Sequence, residues 1–290
     1  MDFKAARPFG GFLDVTSHHT CFLCKCWHRA HLGRTDYESW TVADAGFLKT
    51  GAEAWLKADT SKDREVIENF YGTRYSELWR LPYWDPTKQL LVDPMHTIFL
   101  ILMQRNRTGS QSLSRRPQPP SVLRMVQKSV TETTVPSWIA RPPSDVGHQK
   151  AGVLKADHWR VLFGIHLPLS LVTLWGEGSP FVTEDAAKMA SVLETSMHLS
   201  CASILMSRNS LSPETRDLFR SSLRGHILGL KENFPGFMLP SHHLAFHIFD
   251  FMETFSTVRN WWGFPFENLI GRLQRITTNH KTGTHCLHLL

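Results

Sequence analysis

Long hydrophobic runs are missing from this 290-residue chain. The longest, Val161–Trp175 (VLFGIHLPLSLVTLW), is interrupted by His166 and Pro168. It falls short of the roughly 20 apolar residues that cross a bilayer, so it reads as buried helix and no membrane span is expected. The opening segment, MDFKAARPFGGFLDV, has no cationic stretch leading into an apolar one and does not read as a secretory leader. Cysteine is scarce. There are five, at 21, 24, 26, 201 and 286, an odd number with three crowded together. That pattern excludes a disulfide scaffold and points to a reducing, intracellular setting. Internal repeats are lacking. Strand signals are few, with Gly11–Val15 and Gln89–Val92 as the candidates.

What is present suffices for a core. Hydrophobic residues make up 42% and charged residues 20%, with 18 Phe and 10 Trp, which excludes wholesale disorder. Lys and Arg number 32 against 26 Asp and Glu, a net charge of +6 that is compatible with a polyanionic partner. Helix patterns dominate. Ala52–Phe70 reads as one or two surface helices, and Asp93–Gln104 as a buried helix with Asp93 capping and Pro94 in its first turn. Asp157–Leu174 reads as a buried helical pair or a kinked helix broken at Pro168. Glu184–Ser207 carries an apolar stripe of Met189, Leu193, Met197, Cys201 and Ile204, and the helix opened by Ser212–Pro213 carries Phe219, Leu223, Ile227 and Leu230. Ser241–Phe255 and Pro265–Ile276 complete the set.

Three constellations have chemical content. SHHTCFLCKCWHRAH places Cys21 and Cys24 at C-x-x-C spacing, which lets two thiolates face one zinc ion. His18, His19, Cys26, His28 and His31 are the nearby residues able to complete four ligands, and a reduced cysteine cluster in a loop is the alternative. His243, His247 and Asp250 fall on one helical face, but among apolar neighbours they read better as buried, hydrogen-bonded histidines than as metal ligands. Glu267 follows Pro265 in a first helical turn, where it is either a cap or an acid held by aromatics against a metal, with Arg272 and Arg275 near a phosphate. Asp93 and His96 pose the same choice between an N-cap with a buried histidine and an acid–histidine pair.

Several blocks together resemble a known family. GTRYSELWRLPYWDPTKQLLVDPMHTIFL, PSWIARPP, LKADHWRVLFGIHLPLSLVTLWG and HHLAFHIFDFMETFSTVRNWWGFPFENLIGRLQRITTNHKTG are similar to recurring blocks of basidiomycete transposases of the EnSpm/CACTA superfamily (Plavaka-like elements). The resemblance runs from about Asp2 to about Gly283. It implies a DDE transposase with a ribonuclease H-like core, in which three carboxylates hold two Mg²⁺ ions for phosphodiester cleavage and strand transfer. By that resemblance Glu267 matches the third acid and Asp2 the second, Asp93 and His96 match a D-x-M-H motif of the helical insertion, and Cys21 and Cys24 match the family's cysteine motif.

The resemblance sets the expectations. The fold class is α+β but predominantly α-helical, the C-terminal part of the ribonuclease H-like core with its insertion. Residues 1–32 are a core remnant with a zinc-knuckle-like cluster (Cys21, Cys24, Cys26, His19). Residues 33–104 are the helical insertion, 105–152 a Pro/Ser/basic linker with a short helix, and 153–290 a helical region with the F-P-F-E block. The family's first catalytic Asp lies upstream of the segment matched here, which implies an incomplete two-metal site and a catalytically inactive relic. Transposon-end DNA is the implied partner, contacted by Arg272, Arg275 and Lys281, and the nucleus the implied location. A DNA- or protein-binding module without enzymatic activity is the alternative.

Overall fold

The computed structural model describes residues 3–103, 122–148, 152, 154–182 and 185–276. Asp2, Lys281 and the Arg105–Pro120 linker lie outside these residues. The described chain is predominantly helical. Neither strand candidate forms a strand: Gly11–Val15 contributes a single bridge, Phe12 to Thr73, and Gln89–Val92 ends a short helix. The other isolated bridge pairs Cys24 with Val42.

Helix α1 (Phe3–Gly10) packs on the cysteine-bearing loop through Arg7, which is almost wholly buried. Its guanidinium donates to the carbonyl oxygens of Thr20 (2.8 Å), His19 (2.9 Å) and Leu13. A buried cation is tolerated there because the fixed fork of N–H groups finds carbonyl partners. Helices α2 (Ala45–Lys57) and α3 (Ser61–Tyr71) form a hairpin, so Ala52–Phe70 is two helices. Thr60 caps α3, and Gly72 ends it at φ +74°, where a side chain would strain the backbone and a Cβ would lie 2.5 Å from the His19 ring. After the short helix α4 (Pro86–Gln89) comes a π-helix, Met95–Met103, whose Ile98, Phe99, Leu102 and Met103 are fully buried. Helix α5 (Val122–Glu132) buries Val126 and Val130.

The Asp157–Leu174 segment is two α-helices joined by a π-turn, and Pro168 stands at the start of the second. Helix α6 (Ala156–Val161) continues through a π-turn (Leu162–His166) into α7 (Leu167–Trp175), with helical dihedrals throughout. Pro168 sits in the first turn of α7, where its missing N–H is not needed, and the π-turn before it absorbs the register change.

The longest helices, α8 (Ala186–Met206) and α9 (Pro213–Asn233), pack along one another. The α9 stripe Phe219, Leu223, Ile227 and Leu230 is buried as expected. The expected α8 stripe is not the buried face, for Cys201 and Ile204 are exposed. The buried residues are instead Val192, Thr195, Ser196, Leu199, Ser200, Ala202, Ser203 and Met206. Close approach explains the inversion. Gly229 and Gly225 of α9 lie against Thr195 and His198, and the missing side chains on α9 make room for these residues of α8. Thr195 and Ser196 donate to the carbonyls of Ser191 and Val192 and Ser203 to that of Ser200, whereas the Ser200 hydroxyl is buried without a partner.

Helices α10 (Pro240–Phe246) and α11 (Ile248–Phe255) are two pieces meeting at His247, and α12 (Phe264–Leu273) follows. One apolar cluster runs from Ala6 to Trp262 and includes the three cysteines of the N-terminal loop. Trp262 is buried and Phe264 packs on the cluster, whereas Phe266 is exposed.

Candidate metal centre

The C-x-x-C turn is held from both sides. The Cys21 amide donates to the Cys26 carbonyl, Lys25 donates to Thr41, and Ala43 donates to Leu23. The Leu23 amide points at the Cys21 sulfur from 3.3 Å. Both thiols are thereby aimed inward, at the junction of α10 and α11.

That junction supplies the other half of the site. His243 is on α10 and His247 at the break before α11, so the two rings face the same way. His243 Nε2 lies 3.1 Å from Cys24 Sγ, His247 Nε2 lies 3.5 Å from Cys21 Sγ, and the two Nε2 atoms are 3.4 Å apart. The four ligand atoms all fall within 4.8 Å of one another, and all four residues are buried. They are close enough to bind one metal ion. The Cys21–His247 pair is separated by 226 residues in sequence.

Neighbouring groups fix the rings. His247 Nδ1 is 3.0 Å from Asp250 Oδ2, and Arg220 donates to Asp250 Oδ1 at 3.1 Å. A carboxylate on Nδ1 keeps the proton there and turns the Nε2 lone pair toward the sulfurs, the usual support of a metal-bound histidine. Trp40 stacks on His243 with ring centroids 4.4 Å apart. The Nδ1 of His243 is buried without a partner.

The electrostatics match a cation site. Burial alone would raise the Cys21 thiol, but the hydrogen bond from Cys24 and the nearby His247 and His243 rings outweigh it and hold it well below the ordinary thiol range. Cys24 is pushed far up, chiefly by its hydrogen bond to Cys21 and by burial. His247 is raised to about 9, its burial overcome by the charge on Cys21 and the bond to Asp250. Pairing thus favours negative charge on Cys21 beside positive charge on His247.

Cys26 and His19 sit nearby but outside the four. Cys26 Sγ faces the His28 carbonyl at 4.0 Å, and burial raises its thiol to about 12. His19 Nε2 bonds the Asn69 carbonyl at 2.9 Å. The expected ligand set around Cys21 and Cys24 is therefore completed from the far end of the chain. The histidine pair expected to be merely buried supplies it.

A second constellation assembles at the start of α12. Asp93 caps the π-helix by accepting from the Met95 amide (3.1 Å), and it also accepts from the Gly263 amide (2.9 Å) and bonds His96 Nδ1. His96 Nε2 faces Glu267 Oε1 at 3.6 Å. Asp93 and His96 are largely buried and Glu267 is 54% exposed. Gly263 is required at this contact, for a Cβ there would lie 2.5 Å from Asp93 Oδ2. Asp93, His96 and Glu267, singled out from two separate sequence blocks, therefore meet. Arg272 and Arg275 are exposed on or just after α12.

No protein-family model matches this chain, and a search of curated proteins returns no match. Among the described residues no helix is long and apolar enough to cross a membrane.

Proposed function

We propose that the Cys21–Cys24–His243–His247 cluster is a structural zinc site that fastens the N-terminal loop to the α10–α11 junction. The observation that carries this reading is the convergence of four buried donors on one point. Two thiolates and two imidazoles are the donor set of closed, four-coordinate zinc, and a site with four protein ligands leaves no position for substrate. Zinc analysis of protein purified without added metal tests it. One zinc per chain, with a melting temperature that drops on chelation, is the expected result. A metal-free protein that melts cooperatively and ignores zinc contradicts it.

On this zinc-fastened frame we further propose a transposase-derived protein, ancestrally acting on DNA by metal-dependent phosphodiester cleavage and strand transfer. Supporting it is the meeting of the D-P-M-H and F-P-F-E blocks at Asp93, His96 and Glu267. In this reading Glu267 is a ligand of a catalytic divalent ion, Mg²⁺ in the family, and helical segments of this kind accompany a ribonuclease H-like core. The ion would stabilise the attacking or leaving oxygen of a phosphodiester. Asp93 ties the start of α12 to the π-helix and so sets where Glu267 stands. Divalent-ion binding by the zinc-loaded protein, lost in Glu267→Gln, is the test.

A DNA-binding role without chemistry is the second reading, favoured by Arg272 and Arg275 standing exposed beside the apolar surface of α12. Phosphate contacts of this kind weaken steeply between 50 and 200 mM salt. Salt-insensitive binding would exclude them.

A further inference from the structure

The two cysteines of the cluster do not meet the same surroundings. Cys24 and His247 form part of the wall of a cleft of about 270 Å³, together with Trp40, Arg220 and Asp250. That volume holds several waters and admits a small solute. Cys21 is not in this wall. The void on its own side, between the cysteine loop and α2, is about 20 Å³, room for about one water. A metal-held thiolate is still a sulfur nucleophile, and of the two only Cys24 borders space that a reagent can enter. The sulfurs of Cys21 and Cys24 belong to the group of four ligand atoms that lie within 4.8 Å of one another. Their C-x-x-C spacing is one that closes into a disulfide. The other described thiols are placed differently. Cys26 Sγ faces the His28 carbonyl at 4.0 Å, and Cys201 is exposed on α8.

We infer that Cys24 is an oxidation site for hydroperoxides, with Cys21 as its resolving thiol, so that a disulfide between them releases the metal and unfastens the N-terminal loop. The inference rests on the zinc reading of the cluster and adds a way of undoing it. The Cys24 sulfur attacks one oxygen of hydrogen peroxide. The S–O bond forms, the O–O bond breaks, and a sulfenic acid and a hydroxide result. Cys21 Sγ then attacks the Cys24 sulfur. The S–S bond forms, the S–O bond breaks, and a second hydroxide leaves. Two thiolates thus lose two electrons, and the peroxide, taking two protons from solvent, becomes two waters. A disulfide offers no anionic sulfur, so His243 and His247 alone remain, too few to close a zinc site. What is lost is the tie between the loop and the α10–α11 junction. The bonds from Arg7 to the carbonyls of His19 and Thr20 stay in place.

The test treats the zinc-loaded full chain with hydrogen peroxide beside a peroxide-free control. A chromophoric chelator reads zinc release, peptide mapping by mass spectrometry reads the disulfide, and dimedone captures sulfenic acid in a parallel sample. The expected result is one zinc released per chain, a Cys21–Cys24 disulfide, and dimedone on Cys24 before release is complete. The oxidised protein should melt where the chelator-stripped protein melts, and a thiol reductant followed by zinc should restore the parent value. In Cys26→Ser, zinc leaves at the parent's rate. Zinc retained at a peroxide dose that oxidises the exposed Cys201 overturns the inference and leaves the zinc reading intact. A disulfide through Cys26, a slowed release in Cys26→Ser, or dimedone on Cys21 rather than Cys24 overturns the assignment of roles. A protein that neither carries nor takes up zinc overturns the zinc reading and the inference with it. If Cys26→Ser does not fold, the parent protein's peptide map still decides.

Discussion

Asp250 Oδ2 lies 3.0 Å from His247 Nδ1, and through that bond a half-exposed carboxylate decides which nitrogen of a buried ring faces the sulfurs. Replacing Asp250 by Ala leaves the four donors in place but frees the ring. The expected outcome is a 10- to 100-fold loss of zinc affinity, the usual cost of removing such a partner. Competition with a chromophoric chelator measures it. An unchanged affinity would mean the ring is held by packing alone.

Zinc affinity should rise with pH. His247 is raised to about 9 in the metal-free cluster, so at neutral pH zinc must displace its proton. The apparent affinity therefore climbs as pH rises through about 9 and goes on rising beyond it, because Cys24, whose thiol is pushed far up, must also give up its proton. Calorimetry in two buffers of different ionisation enthalpy counts the protons released, and a value of zero contradicts this charge pairing.

Acid sensitivity comes from elsewhere. Burial depresses His226 to about 4, and burial together with the neighbouring His226 depresses His242 to about 3. The unfolded chain protonates both below about 6.5, whereas the folded chain resists until much lower pH. The stability they confer is full above pH 6.5 and is lost as pH falls toward 4 and then 3. Each contributes a slope of roughly 1.4 kcal/mol per pH unit in that window. Denaturant titrations at pH 7, 6 and 5 should show the loss, and His242→Gln should flatten it.

Two glycines should respond to alanine with opposite signs. At Gly229 a Cβ would lie 2.1 Å from Thr195 Oγ1, so Gly229→Ala should force α8 and α9 apart and cost about 1–3 kcal/mol despite better helix propensity. At Gly271 a Cβ meets nothing within 4 Å, so Gly271→Ala should stabilise by about 0.5–1 kcal/mol. Thermal melts of the two variants separate the cases.

Gly263→Ala should disturb the contact between the π-helix and the start of α12. Its Cβ would displace Asp93 Oδ2, loosening the His96 ring. Divalent-ion binding that depends on Glu267 should weaken several-fold while zinc content stays at one per chain. Loss of zinc in this variant would show that the two constellations are not independent.

The helices were largely legible because apolar spacing and start signals such as Asp93 and Ser212 mark them. The inward face of α8 was not, since serine and threonine there are buried only because glycines of α9 come close. The metal cluster was half legible. C-x-x-C announces itself, but nothing local to Cys24 reveals that its imidazole partner, His243, lies 219 residues away. His243 and His247 among phenylalanines looked like core, and they are core; the signal that separates a ligand from a buried histidine is the fixed spacing of four to one side and Asp250 three beyond. Of the strand candidates, Gly11–Val15 makes only the single bridge Phe12–Thr73, and Gln89–Val92 begins inside the short helix α4.

The most direct test of the central claim is X-ray absorption at the zinc edge of the purified full-length protein. The account predicts a single shell of two sulfurs at about 2.3 Å and two imidazole nitrogens at about 2.0 Å, with one nitrogen lost in His243→Ala. Three or four sulfurs, which would draw in Cys26, or a shell without sulfur would contradict it.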